Sequence, residues 1–134
     1  MLSISNFELG MKAEKKRIFT SEDVIKFSEL SGDINPVHVN EAYAKETIFG
    51  KRIVHGALAS SIFSTLFANT LPGPGCIYLK SENKFLKPIY LNEEITFSIE
   101  LVNIIKNKNR LIFDTKAICE DQTYIIGTAE IFIP

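Results

Sequence analysis

Apolar residues recur at helical spacing in the first half of the chain and alternate with polar ones in the second. Lys12 to Phe19 reads as a short polar strand or extended lead-in. Thr20-Ser21-Glu22-Asp23 then offers a capping hydroxyl with an acid three positions on, a helix-start signature. The helix that follows places Val24, Phe27, Leu30 and Ser31 near one face, and Gly32 suits its C-terminal stop. Asp33-Ile34-Asn35-Pro36 reads as a loop, because proline pushes the residue before it out of helical angles. Asn40 is placed to cap a short helix over Glu41 to Glu46.

The next helix is predicted from about Gly56 to Leu71, where Pro72-Gly73-Pro74-Gly75 ends it. Leu58, Ile62 and Leu66 form one row, and Ala59, Phe63 and Phe67 the adjacent one. Ser61, Thr65 and Asn69 make a third row, polar but uncharged. A helix apolar over most of its circumference must be covered on most sides. The stretch from Ile53 to Leu79 carries no Lys, Arg, Asp or Glu, yet its helical part is too short and too rich in Ser and Thr for a membrane span. Such a span needs roughly 20 consecutive apolar residues.

Beyond it, Glu94 to Val102 alternates cleanly, with Ile95, Phe97, Ile99 and Leu101 on one side. Leu111 to Cys119 and Tyr124 to Ile133 are strand-like, rich in Ile, Phe, Thr and Tyr. The short turns between them suit antiparallel hairpins. Cys76 to Tyr90 adds an extended segment whose Pro88 suits an edge or a bend. Helices first and an antiparallel meander after them predict an α+β domain, with a curved sheet wrapped around the long helix.

Composition narrows the class. The 134 residues fit one domain spanning 1–134, and 46% hydrophobic content excludes a disordered chain. A net charge of -1 and a pI of about 6.1 show no basic excess, so neither nucleic acid nor an anionic membrane is expected as a partner. Cys76 and Cys119 lie far apart and match no metal spacing; reduced core thiols are the expectation. Met1 to Gly10 has no basic stretch followed by an apolar one, so a cytoplasmic protein without a signal peptide is expected.

The chain has two histidines, His38 and His55. His38 follows Asp33 by five positions across the Asn-Pro loop, so a turn can bring the two side chains together. His55 directly precedes Gly56 at the start of the long helix. A helix N-terminus presents unpaired N–H groups and a partial positive charge, and glycine lets a ligand oxygen come close. An acid-base pair beside such a donor-rich start can stabilise an enolate-like charge and move a proton. The same residues also suit an ordinary turn, and His55 a loop-orienting role; spacing alone does not choose. Asp33, His38 and His55 have the composition of a two-His-one-carboxylate set but match no metal motif, and no metal is expected.

Ser31-Gly32-Asp33-Ile34-Asn35-Pro36-Val37-His38, followed by Phe49-Gly50-Lys51-Arg52-Ile53-Val54-His55-Gly56, resembles the hydratase-2 motif of the MaoC-like (R)-specific enoyl-CoA hydratases. The resemblance runs from about Phe7 to the C-terminus and includes Leu71-Pro72-Gly73 and Phe85-Leu86-Lys87-Pro88. Ala57 departs from it, many members having Met there. The resemblance implies a hot-dog fold, a homodimer with a joined sheet, and reversible hydration of trans-2-enoyl-CoA to (R)-3-hydroxyacyl-CoA. No metal or redox cofactor is implied, since CoA arrives as part of the substrate. It assigns Asp33 and His38 to hold and activate a water, the Gly56 N–H to bind the thioester oxygen, and Asn35 to fix the loop.

The nearest alternative is a 3-hydroxyacyl-carrier-protein dehydratase; a hot-dog thioesterase or acyl-thioester-binding protein stands further off. Lys51, Arg52, Lys84 and Lys87 are candidates for the CoA phosphates on charge alone. Counting threes and fours from Gly56 puts Ser60, Phe63, Ser64 and Phe67 near one face, so the acyl chain is expected there. Phe67 would close that channel, with Phe132 meeting it from the sheet, unless both phenylalanines are simply core residues. Closure at Phe67 implies short chains of about four to six carbons, each methylene that fits being worth ~0.8 kcal/mol.

Overall fold

Chain order alternates one lone strand with the helices before the sheet is completed. In the computed structural model, which describes all 134 residues, β1 (Lys12–Ile18) is followed by α1 (Ser21–Ser31), α2 (Pro36–Val39), α3 (Glu41–Lys45) and α4 (Gly56–Asn69). Then come β2 (Ile77–Phe85), β3 (Glu94–Ile105), β4 (Arg110–Cys119) and β5 (Gln122–Phe132). The five strands form one antiparallel sheet in the order β1-β3-β4-β5-β2. The meander β3-β4-β5 is as expected, and the segment carrying Pro88 does leave an edge strand. β2 lies beyond β5 rather than beside β3, its neighbour in sequence.

Local chemistry sets the helix ends. The Asp23 N–H donates to Thr20 Oγ1 at 3.2 Å, and the Thr20 N–H donates to Asp23 Oδ2 at 2.9 Å. Gly32 closes α1 in the left-handed conformation, φ 82°. Asn35 and Asn40 cap α2 and α3 by accepting from the Val37 and Tyr43 N–H groups. α2 is an addition to the sequence reading; at four residues, starting with proline, it is too short to show a period. α1 is also rotated from expectation, because Val24 and Ser28 are buried whereas Leu30 is 87% exposed.

α4 lies across the concave face of the sheet. Ala59, Ile62, Phe63, Leu66 and Phe67 are buried against it and join one continuous core with Phe97, Ile99, Phe113 and Ile131. Phe63 meets Phe97 edge-on at 5.5 Å, and Phe67 meets Phe113 at 4.9 Å. Each such ring adds ~1.5–3 kcal/mol by burial. The same packing leaves the start of α4 facing the α1–α2 loops and the β2 end, and the site forms there. This is a hot-dog fold, as the resemblance implied. No helix is long and apolar enough to cross a membrane.

Candidate active site

Three chain segments bring Asp33, His38 and His55 together. Asp33 stands on the exposed loop after α1, His38 on buried α2, and buried His55 in the turn before α4. The loop is held locally: the Asp33 N–H donates to Ser31 Oγ, and Asp33 Oδ1 accepts from the Asn35 N–H at 3.2 Å. Arg52 ties α2 down from outside. Its Nε donates to the His38 carbonyl at 2.7 Å and its Nη1 to Ser21 Oγ at 2.9 Å.

The hydrogen bonds fix the tautomers. His38 Nδ1 lies 2.8 Å from the Ile53 carbonyl, which can only accept, so Nδ1 carries the proton. That leaves the Nε2 lone pair of neutral His38 without a partner in the protein, and His38 lines an apolar cleft of about 390 Å³. Gly56, Ala59, Phe49, Phe85 and Ile89 line the same cleft. The N–H groups of Gly56, Ala57 and Leu58 have no acceptor within the chain, and no side chain caps them. Only glycine fits at position 56 without displacing a neighbour, since a Cβ there would come within 2.9 Å of the Phe85 ring. A proton acceptor and a free N–H donor thus face one apolar space.

His55 is sealed behind this pair. Its Nε2 is 2.9 Å from Ser28 Oγ and 3.3 Å from the Asp33 carbonyl. Burial, and then the charge of His38, hold its imidazole below the usual histidine range, against a smaller opposing pull from Asp33. An unfolded His55 titrates near 6.5, so between that value and its lower folded one the unfolded chain binds more protons. The stability this contributes is complete above about pH 6.5 and is lost as pH falls through the folded value. The urea midpoint is therefore expected to drop from about pH 7 to about pH 5. His55→Gln, with an amide N–H near the Nε2 position but no titration, is expected to flatten that slope.

The side chains of Asp33, His38 and His55 offer ligand atoms that all lie within 4.8 Å of one another. The His38 and His55 rings are stacked, 4.0 Å between centroids and 30° between planes, so their in-plane lone pairs do not converge. As arranged, the three groups fit acid-base work better than a metal ion.

Other expected site residues fall elsewhere. Ser60 and Ser64 line a separate, shallower cleft with Ala57, Ser61 and the Tyr78–Ser81 segment of β2. Phe67 is buried below it, edge-on to Tyr78 at 5.2 Å. Phe63 is turned fully into the core instead of sharing that face. Phe132 does not meet Phe67 from the sheet: Ile125, Ala129 and Ile131 are the buried, helix-facing residues of β5, and alternation turns Phe132 to the opposite side. Among the basic candidates, Arg52 is engaged with His38 and Ser21, Lys51 lies over the Tyr90 ring, and Lys87 pairs with Gln122. Sequence reasoning missed Ser28 and the bracing role of Arg52. A polar Ser28 one turn after Val24 on a half-apolar helix was the only signal available.

A long helix on a curved antiparallel sheet, with an Asp–His pair at its N-terminus, defines a hot-dog protein of the dehydratase kind. The profile described as MaoC like domain matches residues 5–121, and the chain belongs to this family. It is 33% identical over 125 residues to an (R)-specific enoyl-CoA hydratase of Rhodospirillum rubrum, covering 93% of this chain and 87% of that one. It is 29% identical over 134 residues to a 3-hydroxybutyryl-CoA dehydratase of Methylorubrum extorquens, covering 100% and 85%. The solved (R)-hydratase from Aeromonas caviae, described as involved in PHA biosynthesis, superimposes with a TM-score of 0.92 at 33% identity, covering 96% of this chain and 98% of that one.

Proposed function

We propose that this protein is a hydro-lyase that adds water to trans-2-enoyl-CoA to give (R)-3-hydroxyacyl-CoA, and catalyses the reverse dehydration. The observation that carries the reading is the free Nε2 of His38 sharing a cleft with the unpaired Gly56 N–H. In an enoyl thioester the carbonyl makes the β-carbon electrophilic. Water attacks there, its proton passes to the Asp33/His38 pair, and the C=C electrons move toward the carbonyl oxygen. The N–H of Gly56 and the α4 dipole stabilise that oxygen. The pair then returns a proton to the α-carbon, so the protein ends as it began. Asn35 keeps the loop in shape by accepting from Val37. The decisive assay follows loss of enoyl-thioester absorbance with crotonyl-CoA, together with chiral analysis of the product. Absence of turnover, or the (S) product, overturns the reading. Faster turnover of the carrier-protein thioester would make the protein a dehydratase of that carrier's acyl chains.

The acyl chain is proposed to pass from Gly56 over the first turn of α4 onto the Ser60 and Ser64 side, ending above Phe67 and Tyr78. Adjacent residues support the path, since Gly56 lines the His38 cleft and Ala57 the serine cleft. On this path closure at Phe67 favours short chains of about four to six carbons, each methylene that fits being worth ~0.8 kcal/mol. Phe67→Ala is expected to move the kcat/KM maximum toward longer chains. If Phe49→Ala moves it and Phe67→Ala does not, the chain lies in the His38 cleft instead.

We also infer a homodimer. β2 is an open edge strand exposed along nearly all its length, and Ile77, Tyr78, Leu79, Phe85 and Leu86 are exposed on or next to it. An apolar unpaired edge of this kind is usually covered. Sedimentation is expected to give twice the chain mass of 15.1 kDa. A stable, fully active monomer would count against the inference.

A further inference from the structure

His55 takes no direct part in the reaction just described, yet it is the most fully enclosed polar residue of the site, 1% exposed. One face of its ring lies on His38 at 4.0 Å, and Phe27 of α1 meets it edge-on at 4.8 Å. Because the Asp33 carbonyl can only accept, the Nε2 of His55 carries the proton, shared between that carbonyl and Ser28 Oγ. Its Nδ1 is buried and has no partner at all. A second proton there would bury an N–H without an acceptor and set a charge against the one that forms on His38, with the Asp33 carboxylate of the exposed loop the one opposing charge nearby. The groups facing the ring are His38, Asp33, Phe27 and Ser28. The one carboxylate among them, on Asp33, stands on the exposed loop, and its backbone oxygen, rather than that carboxylate, accepts from His55.

We propose that His55 is a positioning residue for His38: an enclosed imidazole that is neutral while the His38 imidazolium forms against its face. The inference rests on the hydratase reading for its kinetic consequence but on geometry alone for its electrostatics. When His38 takes a proton, a cation appears over the electron-rich face of a neutral ring, which attracts it. A protonated His55 at the same distance would repel it. Ser28 and the Asp33 carbonyl hold the ring in the tautomer that keeps Nδ1 a bare lone pair. The same Nε2–H bond ties the Asp33 loop to the ring beneath His38, so the acid and the base share one reference point.

The chain's two histidines make the test direct, because each imidazole is resolved in a nitrogen-detected titration of the intact protein. In the parent, His55 is expected to stay neutral with its proton on Nε2 throughout the pH range in which His38 gains its charge. A proton on Nδ1, or His55 charging before His38, overturns the proposal and needs no variant. This readout does not involve substrate, so it stands or falls separately from the hydratase assignment. In His55→Gln the remaining imidazole is His38. Its titration and the acid limb of kcat/KM are both expected to move to lower pH, with kcat down by about ten-fold and KM within about two-fold. His55→Phe, which keeps an aromatic face but no titrating group, is expected to restore the position of the acid limb. If His55→Gln folds and leaves the His38 titration and that limb unmoved, His55 is only a packing residue.

Discussion

Asp33→Asn and His38→Gln should each lower kcat by about 10²–10⁴, the usual worth of a positioned proton transfer. The effect is chemical because neither change disturbs much structure. Asp33 is exposed, and only one of its carboxylate oxygens makes a bond within the chain, to the Asn35 N–H. His38 is held by the Ile53 carbonyl through Nδ1, the side away from the reaction, and Arg52 anchors its backbone independently. Since both side chains serve one water, the double variant should be little worse than the poorer single one. Stopped-flow turnover of crotonyl-CoA, with circular dichroism melts alongside, measures this. Near-parent rates in folded variants would remove the pair from the mechanism, and additive losses would mean two separate tasks.

The second large effect is expected at Gly56, where the N–H can be deleted with little damage to the helix. Proline is tolerated at the first helical position, because that N–H has no helical acceptor. His55 already has φ -57° and ψ 133°, the extended conformation favoured before proline. Gly56→Pro therefore removes the proposed oxyanion donor and leaves α4 able to start. A Cβ at this position also presses on Phe85. Gly56→Ala adds the same Cβ while keeping the N–H, so it is the reference for that contact. The proline variant should be slower than the alanine variant by about 10²–10³ in kcat, the usual loss for one such donor. Equal rates for the two would show that glycine is needed only for space.

Much of the fold was legible because its rules act over a few residues. Thr20 and Asp23 are three apart, Asn40 caps α3 by accepting from the Tyr43 N–H three residues on, and Gly32 stops α1 with its own backbone freedom. Ile95, Phe97, Ile99 and Leu101 alternate because only one face of β3 meets α4, and all four are buried. Where both faces of a strand carry large apolar groups, alternation loses its meaning. β5 has Ile125 and Ile131 on one parity and Ile126 and Phe132 on the other, and Phe132 was placed on the wrong side for that reason.

By itself, then, the sequence determined the elements other than α2, the helix ends at Thr20, Gly32 and Asn40, the wrapped helix, and the loop and helix start that carry Asp33, His38 and Gly56. Tertiary structure alone decided how those segments meet. Ser28 reaches His55 across 27 positions, Arg52 reaches Ser21 across 31, and His38 stacks on a ring 17 residues away. Such contacts depend on how α1, α2 and α4 pack against one sheet. A side chain's spacing along the chain says which way it can point, whereas what waits there is set by burial of surfaces distant in sequence.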